Sequence, residues 1–190
     1  MTDVLSGSQK WVRGIIPDAV NRPRDDFYPT PPSATEALLA VEDFSGLVWE
    51  PACGDGAITR VLQARGLEVV SSDLIDRGFG QVGVDFLLDY RTRADCIVTN
   101  PPFKLAEPFI RHALGRVPGK VAMFLRLAFL EGIARRRLFQ GTPIARVWVF
   151  SSRVALARNG EAMANGGMIA FAWFVWDPAH AGPPVLGWLP

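Results

Sequence analysis

Leu47-Val48-Trp49-Glu50-Pro51-Ala52-Cys53-Gly54-Asp55-Gly56 decides how this chain is read. A short apolar run ends on an acid, a turn with two glycines follows, and residues 57–64 carry helical periodicity that stops at Gly66. Strand, glycine turn and helix in that order open a βα unit. The pattern recurs downstream. Residues 68–72 read as a strand ending at Asp73, residues 82–84 as a short one ending at Asp85, and residues 95–99 as a buried strand ending at Asn100. Helical stretches over 105–116 and 130–139 flank a further strand at 120–125. Upstream, Ser33 and Glu36 form a capping-box signal for a helix over 34–41. Strands at 145–150 and 168–176, joined by a Gly- and Asn-rich connection at 159–167, read as an antiparallel hairpin added to the sheet edge. The expected fold class is α/β, a doubly wound and mostly parallel sheet with helices on both faces. Residues 27–177 are the expected domain. Residues 1–26 form a loose arm before it, and residues 178–190 a tail packed on or near it.

The bulk numbers narrow the class. A chain of 190 residues fits one domain with a full-sized core. Hydrophobic residues make up 49% and charged ones 21%, a globular composition. No apolar run reaches the length of a membrane span, and no basic-then-apolar leader opens the sequence, so a cytoplasmic location is expected. Two cysteines, Cys53 and Cys96, fall in or beside apparent strands and suit a reducing compartment. His112 and His180 stand far apart without companions, so no metal site is expected. Charge is uneven. Residues 1–110 carry ten basic and sixteen acidic groups, whereas residues 111–158 carry ten basic groups against Glu131 alone. A basic block of that kind suggests a polyanion partner, nucleic acid, over a merely solvated helix face.

Glu50, Asp73, Asp85 and Asn100 fall at consecutive expected strand ends, where open α/β sheets bind ligands. Gly54 and Gly56 let backbone pass close to such a ligand. The turn departs from the dinucleotide fingerprint because position 59 is Thr. No basic residue in it meets a pyrophosphate, and Asp55 would repel one. Carboxylates around a glycine turn suit a ligand with ammonium, sulfonium and ribose groups instead. Asp73 is placed to accept ribose hydroxyls, and Asp85 with Phe86 to meet an adenine. S-adenosylmethionine fits that set of demands.

Asn100-Pro101-Pro102-Phe103 follows the next strand. Proline donates no backbone hydrogen bond and fixes φ, so neighbouring carbonyls stay available as acceptors. The Asn100 side-chain oxygen is another acceptor, and the Phe103 ring offers a stacking face for a planar heterocycle. The group that suits such a grip is an exocyclic amine on a nucleobase.

Taken together, Asp26-Phe27-Tyr28-Pro29-Thr30-Pro31, Glu50-Pro51-Ala52-Cys53-Gly54-Asp55-Gly56 and Asn100-Pro101-Pro102-Phe103 resemble class I S-adenosylmethionine-dependent amino-methyltransferases acting on DNA adenine N6. The resemblance covers residues 26–177 and is nearest to small phage- or prophage-type members. It implies a single Rossmann-like class I methyltransferase domain with seven strands and an antiparallel final hairpin. It also implies that Tyr28, Pro29, Thr30, Glu50, Pro51, Ala52, Cys53, Gly54 and Gly56 line the methionine end of the cofactor. By the same resemblance Asp73 with Leu74 holds the ribose, Asp85 with Phe86 the adenine, and Asn100 touches cofactor and target alike.

An exocyclic base amine is a poor nucleophile because its lone pair is delocalised into the ring. Acceptors from Asn100 and the Pro101 carbonyl would favour tetrahedral nitrogen and stabilise its growing positive charge. Alignment of donor and acceptor carries much of the remaining task. A duplex base must be flipped out, or be single-stranded, to reach such a site, and would then stack on Phe103. Lys104, Arg126, Arg135, Arg136 and Arg137 are the candidate nucleic-acid contacts, positioning phosphates without reading sequence. The chain has no room for the separate recognition domain of larger DNA enzymes. RNA bases, cytosine N4 and protein glutamine are alternative targets, and an inactive nucleic-acid-binding or partner subunit is the alternative of a different class.

Overall fold

The computed structural model describes residues 27–155, 157–158, 161–162 and 169–190. The arm expected at 1–26, and all of the 159–167 connection except residues 161–162, lie outside them. In chain order the elements begin with α1 (Pro32–Leu39), β1 (Val48–Glu50), α2 (Ala57–Ala64), β2 (Val69–Asp73), β3 (Gln81–Val82) and β4 (Cys96–Thr99). There follow α3 (Ala106–Leu114), β5 (Val121–Arg126), α4 (Ile133–Gln140), β6 (Ile144–Phe150), β7 (Ala157–Arg158), β8 (Glu161–Ala162), β9 (Phe171–Trp176) and β10 (Val185–Leu189). Eight strands form one sheet in the order β10-β6-β9-β5-β4-β1-β2-β3, and β7 pairs with β8 separately. Every ladder of the large sheet is parallel except those of β9, which runs antiparallel between β5 and β6. This is the expected α/β fold. Among the described residues no helix is long and apolar enough to cross a membrane.

Two local expectations are corrected. The eighth strand comes from the segment expected as a tail: β10 pairs in parallel with β6, Val185 opposite Arg146 through Leu189 opposite Phe150. Pro183, Pro184, Gly187 and Pro190 give that segment a turn-like composition. Gly187 is nevertheless required in the strand, because a Cβ there would overlap the Trp148 ring. The first helix also starts earlier than expected. Pro31 takes its N-cap position with no side-chain hydrogen bond, so Ser33 and Glu36 do not form a capping box. Pro32 opens the helix at a position where its missing N–H costs nothing.

Side-chain parity sorts the sheet into two cores. Trp49, Ile97, Met123 and Phe174 face α3 and α4, packing with Phe109, Ile110 and Leu138. Val48, Val98, Phe124 and Trp173 face α1 and α2, packing with Leu38, Ile58 and Leu62. Trp173 and Trp176 are fully buried. Trp173 donates to the Ala34 carbonyl at 2.8 Å, tying α1 onto the sheet.

A buried carboxylate pins the end of the sheet remote from the strands' carboxyl termini. Glu42, just past α1 and 4% exposed, accepts from Lys120 at 2.8 Å and from the Trp148 indole at 2.9 Å, and pairs with Arg146. Arg146 also donates to Asp177 at 2.8 Å. Burial alone would push the Glu42 carboxyl up, but Arg146, Lys120 and Trp148 outweigh it and hold it below the ordinary value of 4.5. Such a group adds stability above its unfolded value and loses it as the pH falls through the folded one. Glu42→Gln leaves Lys120 without its carboxylate partner and Arg146 with Asp177 alone, and is expected to cost about 3 kcal/mol at pH 7. The difference from the unmodified protein shrinks below pH 4.5 in denaturant titrations. An equal cost at acid and neutral pH would contradict this account of the cluster.

Candidate active site

Parallel pairing of β2, β1, β4 and β5 brings the carboxyl ends of these strands to one edge. A cavity of about 570 Å³ opens there, within the size range of small-molecule sites. Every residue assigned to the cofactor from the sequence lines it, except Gly56. Gly56 instead caps α2 with φ +85°, and a Cβ there would approach the Phe79 ring to 2.7 Å. Gly54 does face the cavity, with φ +56° and the Phe27 ring packed so closely that a Cβ would overlap it. Both glycines are therefore fixed by conformation and by an aromatic neighbour. Phe27, Arg77, Leu105 and Phe109 line the cavity as well, unassigned from the sequence. The Arg77 guanidinium lies 4.1 Å from the Phe27 ring centroid.

The glycine turn is locked to the neighbouring strand. Asp73 accepts from the Gly54 N–H at 2.8 Å with one oxygen and from the Ile75 N–H at 2.8 Å with the other. Cys53 N–H donates to the Ser72 carbonyl at 3.0 Å. Asp85 caps a short 3-10 turn by accepting from Leu87 N–H at 3.0 Å. Phe86 lines the cavity and is also anchored in the core. Its ring is 2% exposed and packs against Trp49, Phe109 and His112 at centroid distances of 5.0, 4.7 and 4.8 Å. It supports the cavity wall from within the core. His112 is half-buried and lies edge-on to it.

Glu50 is 1% exposed. Strand parity turns it toward α2, where it accepts from the Thr59 N–H at 2.8 Å and from the Thr59 hydroxyl. That hydroxyl lies 2.7 Å from the Ser71 hydroxyl. Burial pushes the Glu50 carboxyl up to about 8, against the Thr59 hydrogen bonds and with help from the negative charges of Asp55 and Asp73. Burial likewise pushes the Cys53 thiol up to about 12, so Cys53 is an inert wall residue at neutral pH.

Asn100 shows how the proline-rich segment before α1 meets the motif after β4. Its amide nitrogen donates to the Tyr28 carbonyl at 3.1 Å and to the Thr30 hydroxyl at 3.0 Å. A carbonyl only accepts, so the amide orientation is determined. The amide oxygen is buried and has no hydrogen-bond partner. An orphaned acceptor of this kind is costly unless something donates to it. Pro102 lines the cavity beside it, whereas Pro101 is buried behind. Phe103 faces a second cavity of about 370 Å³, which shares Lys104 with the first.

The basic block is partly cancelled in space. Lys120 and Arg146 pair with Glu42, and Arg111 and Arg135 pair with Glu107. Arg135 also stacks on Phe129 at 4.1 Å. Of the expected phosphate contacts, Arg136 and Arg137 are exposed on α4, while Arg126 is half-buried, 4.5 Å from the Phe103 ring centroid. Linear charge did not reveal that acids remote in sequence neutralise Lys120, Arg135 and Arg146.

The raised Glu50 value carries a sign. The folded state holds its proton above the ordinary carboxylate value of 4.5, so this contribution to stability is full below 4.5 and lost as the pH rises through about 8. Glu50→Gln keeps the acceptor for Thr59 and abolishes the ionisation. The variant is expected to match the unmodified protein at pH 5 and to exceed it at pH 9 in denaturant midpoint. A variant less stable at pH 9 than at pH 5, relative to its parent, would contradict the assignment.

No protein-family profile matches the sequence, and no curated protein matches it. Solved structures do match in fold. One, provisionally described as an RNA methyltransferase from Pyrococcus horikoshii, superposes with a TM-score of 0.63 at 15% identity, over 80% of this chain and 87% of its own. Another, provisionally described as a class I S-adenosylmethionine-dependent methyltransferase from Listeria monocytogenes, gives 0.59 at 14% identity, over 94% and 68%. The modification subunit of a provisionally described type I restriction enzyme from Vibrio vulnificus gives 0.56 at 14% identity, over 93% of this chain but 49% of its own. At these identities the shared property is architecture: the chain has the fold of the class I S-adenosylmethionine-dependent methyltransferases.

Proposed function

We propose that this chain transfers a methyl group from S-adenosylmethionine to an exocyclic amine of a nucleobase, N6 of adenine in DNA. The observation that carries the reading is the buried, partnerless amide oxygen of Asn100 at the edge of a cavity walled by Glu50, Asp73 and Asp85. The residues fit the cofactor. Glu50, at the methionine end, holds its proton in the free protein and would give it up to meet a cationic group, and Asp73 keeps lone pairs for ribose hydroxyls beyond its two backbone bonds. When bound there, S-adenosylmethionine supplies an electrophilic methyl group. The chain's own part is positioning. Tyr28 and Thr30 hold the Asn100 amide by its nitrogen and leave its oxygen without a partner; an N–H of the target would supply one, and that bond would localise the amine lone pair. The DNA adenine target rests on the resemblance of the three motifs, with the segment around Tyr28 favouring it over other planar amines.

Two measurements test the reading. S-adenosylmethionine is expected to raise the melting temperature of the chain, because a ligand that binds only the folded state stabilises it. Labelled methyl transfer is then measured in parallel on unmethylated DNA, RNA and protein. Label is expected in DNA, and Asn100→Ala is expected to lose about 100-fold or more in rate while still melting cooperatively. Label in protein alone would overturn the nucleobase reading. Undiminished transfer by Asn100→Ala would overturn the role of the amide, and no melting shift at millimolar cofactor would overturn the enzyme.

A further inference from the structure

Phe103 is not open to a base as it stands. Arg126, the last residue of β5, lays its guanidinium 4.5 Å from the ring centroid, nearer than Phe171 at 5.8 Å or Tyr28 at 6.0 Å. A heterocycle stacking on that surface competes with the arginine. Arg126 is also incompletely satisfied: its Nε–H is buried without a hydrogen-bond partner, and no carboxylate among the described residues pairs with it. Arg135 provides the contrast, since it stacks on Phe129 and is also held by Glu107. Both arginines line the cavity of about 370 Å³ with Lys104, and Glu131 is the acid among its lining residues. A cation stacked on a ring with a stranded donor is held loosely. A phosphate oxygen pair offers a guanidinium two charge-assisted hydrogen bonds, a stronger and more directional partner than an aromatic face.

We propose that Arg126 is a phosphate-operated latch: it covers Phe103 in the free protein and leaves the ring when a backbone phosphate of the nucleic acid binds it. This inference rests on the nucleobase reading above. Release opens the Phe103 face in the cavity that shares Lys104 with the cavity at Asn100, so the stacking surface is exposed only when the polymer that carries the target is present. The latch favours a base within a nucleic acid over a free nucleoside, which brings no phosphate. Pairing the guanidinium with a phosphate also satisfies the Nε–H.

The arginine Nε–Hε resonance of Arg126 tests this in the full chain, assigned by its loss in Arg126→Lys. In the free protein the Hε signal is expected upfield of ordinary arginines, and Phe103→Leu is expected to remove that displacement. Saturation with a short mixed-sequence single-stranded DNA, followed in parallel by fluorescence polarisation, is expected to move the signal downfield. S-adenosylhomocysteine alone is expected to leave it in place. DNA binding with an unmoved Arg126 signal would overturn the latch while leaving the nucleobase reading intact. Absence of binding by both DNA and RNA oligomers would overturn that reading and the latch with it.

Discussion

The parallel register of β1 against β2 and β4 is the constraint on which the site depends. Val48 pairs with Val69 on one side and Cys96 on the other, and Glu50 falls opposite Ser71. Because the three strands run the same way, residues far apart in sequence end at one edge. Glu50, Asp73 and Asn100 meet there without any element dedicated to bringing them together. Parity does the rest. Glu50 shares a face with Val48, so it turns to Thr59 on α2 rather than to the α3 side, where Trp49 packs. A slip of one residue in β1 would exchange those faces, burying an acid among Phe86 and Phe109.

The edge is then stiffened by bonds between backbone and acid. Asp73 holds the glycine turn through Gly54 and its own following loop through Ile75. Asn100 is held by Tyr28 and Thr30, which enter from the segment ahead of α1. Hydrogen bonds therefore tie the first and third motifs to each other and the glycine turn to Asp73, and the Asn100 amide oxygen is left without a partner. Glu50 is kept buried with its proton retained well above the usual carboxylate range. An acid placed at such a cost in a cavity wall is a recurrent mark of a working site.

Much of this was legible in the sequence because it depends on local order. Strand ends marked by Glu50, Asp73 and Asn100 follow from apolar runs, and the α2 boundary follows from Gly66. The packing of Phe86 into the core was not legible, because an aromatic beside a strand-end acid looks identical whether or not its ring is also enclosed by the core. Trp49, Phe109 and His112, which enclose it, come from other elements. The β10 strand was hidden by prolines and by Gly187, whose need becomes visible only against Trp148. The Glu42 cluster joins residues as far apart as Glu42 and Arg146, and no spacing rule reports such pairs. The same cause made the basic block look more exposed than it is.

The central claim is that an acceptor on Asn100 directs methyl transfer to an exocyclic ring amine. Incubating the protein with S-adenosylmethionine and unmethylated DNA, then digesting the product to nucleosides for mass spectrometry, tests it most directly. The account predicts N6-methyladenine that disappears with Asn100→Ala. Methylation confined to a ring carbon, a ribose oxygen or the protein itself would contradict it.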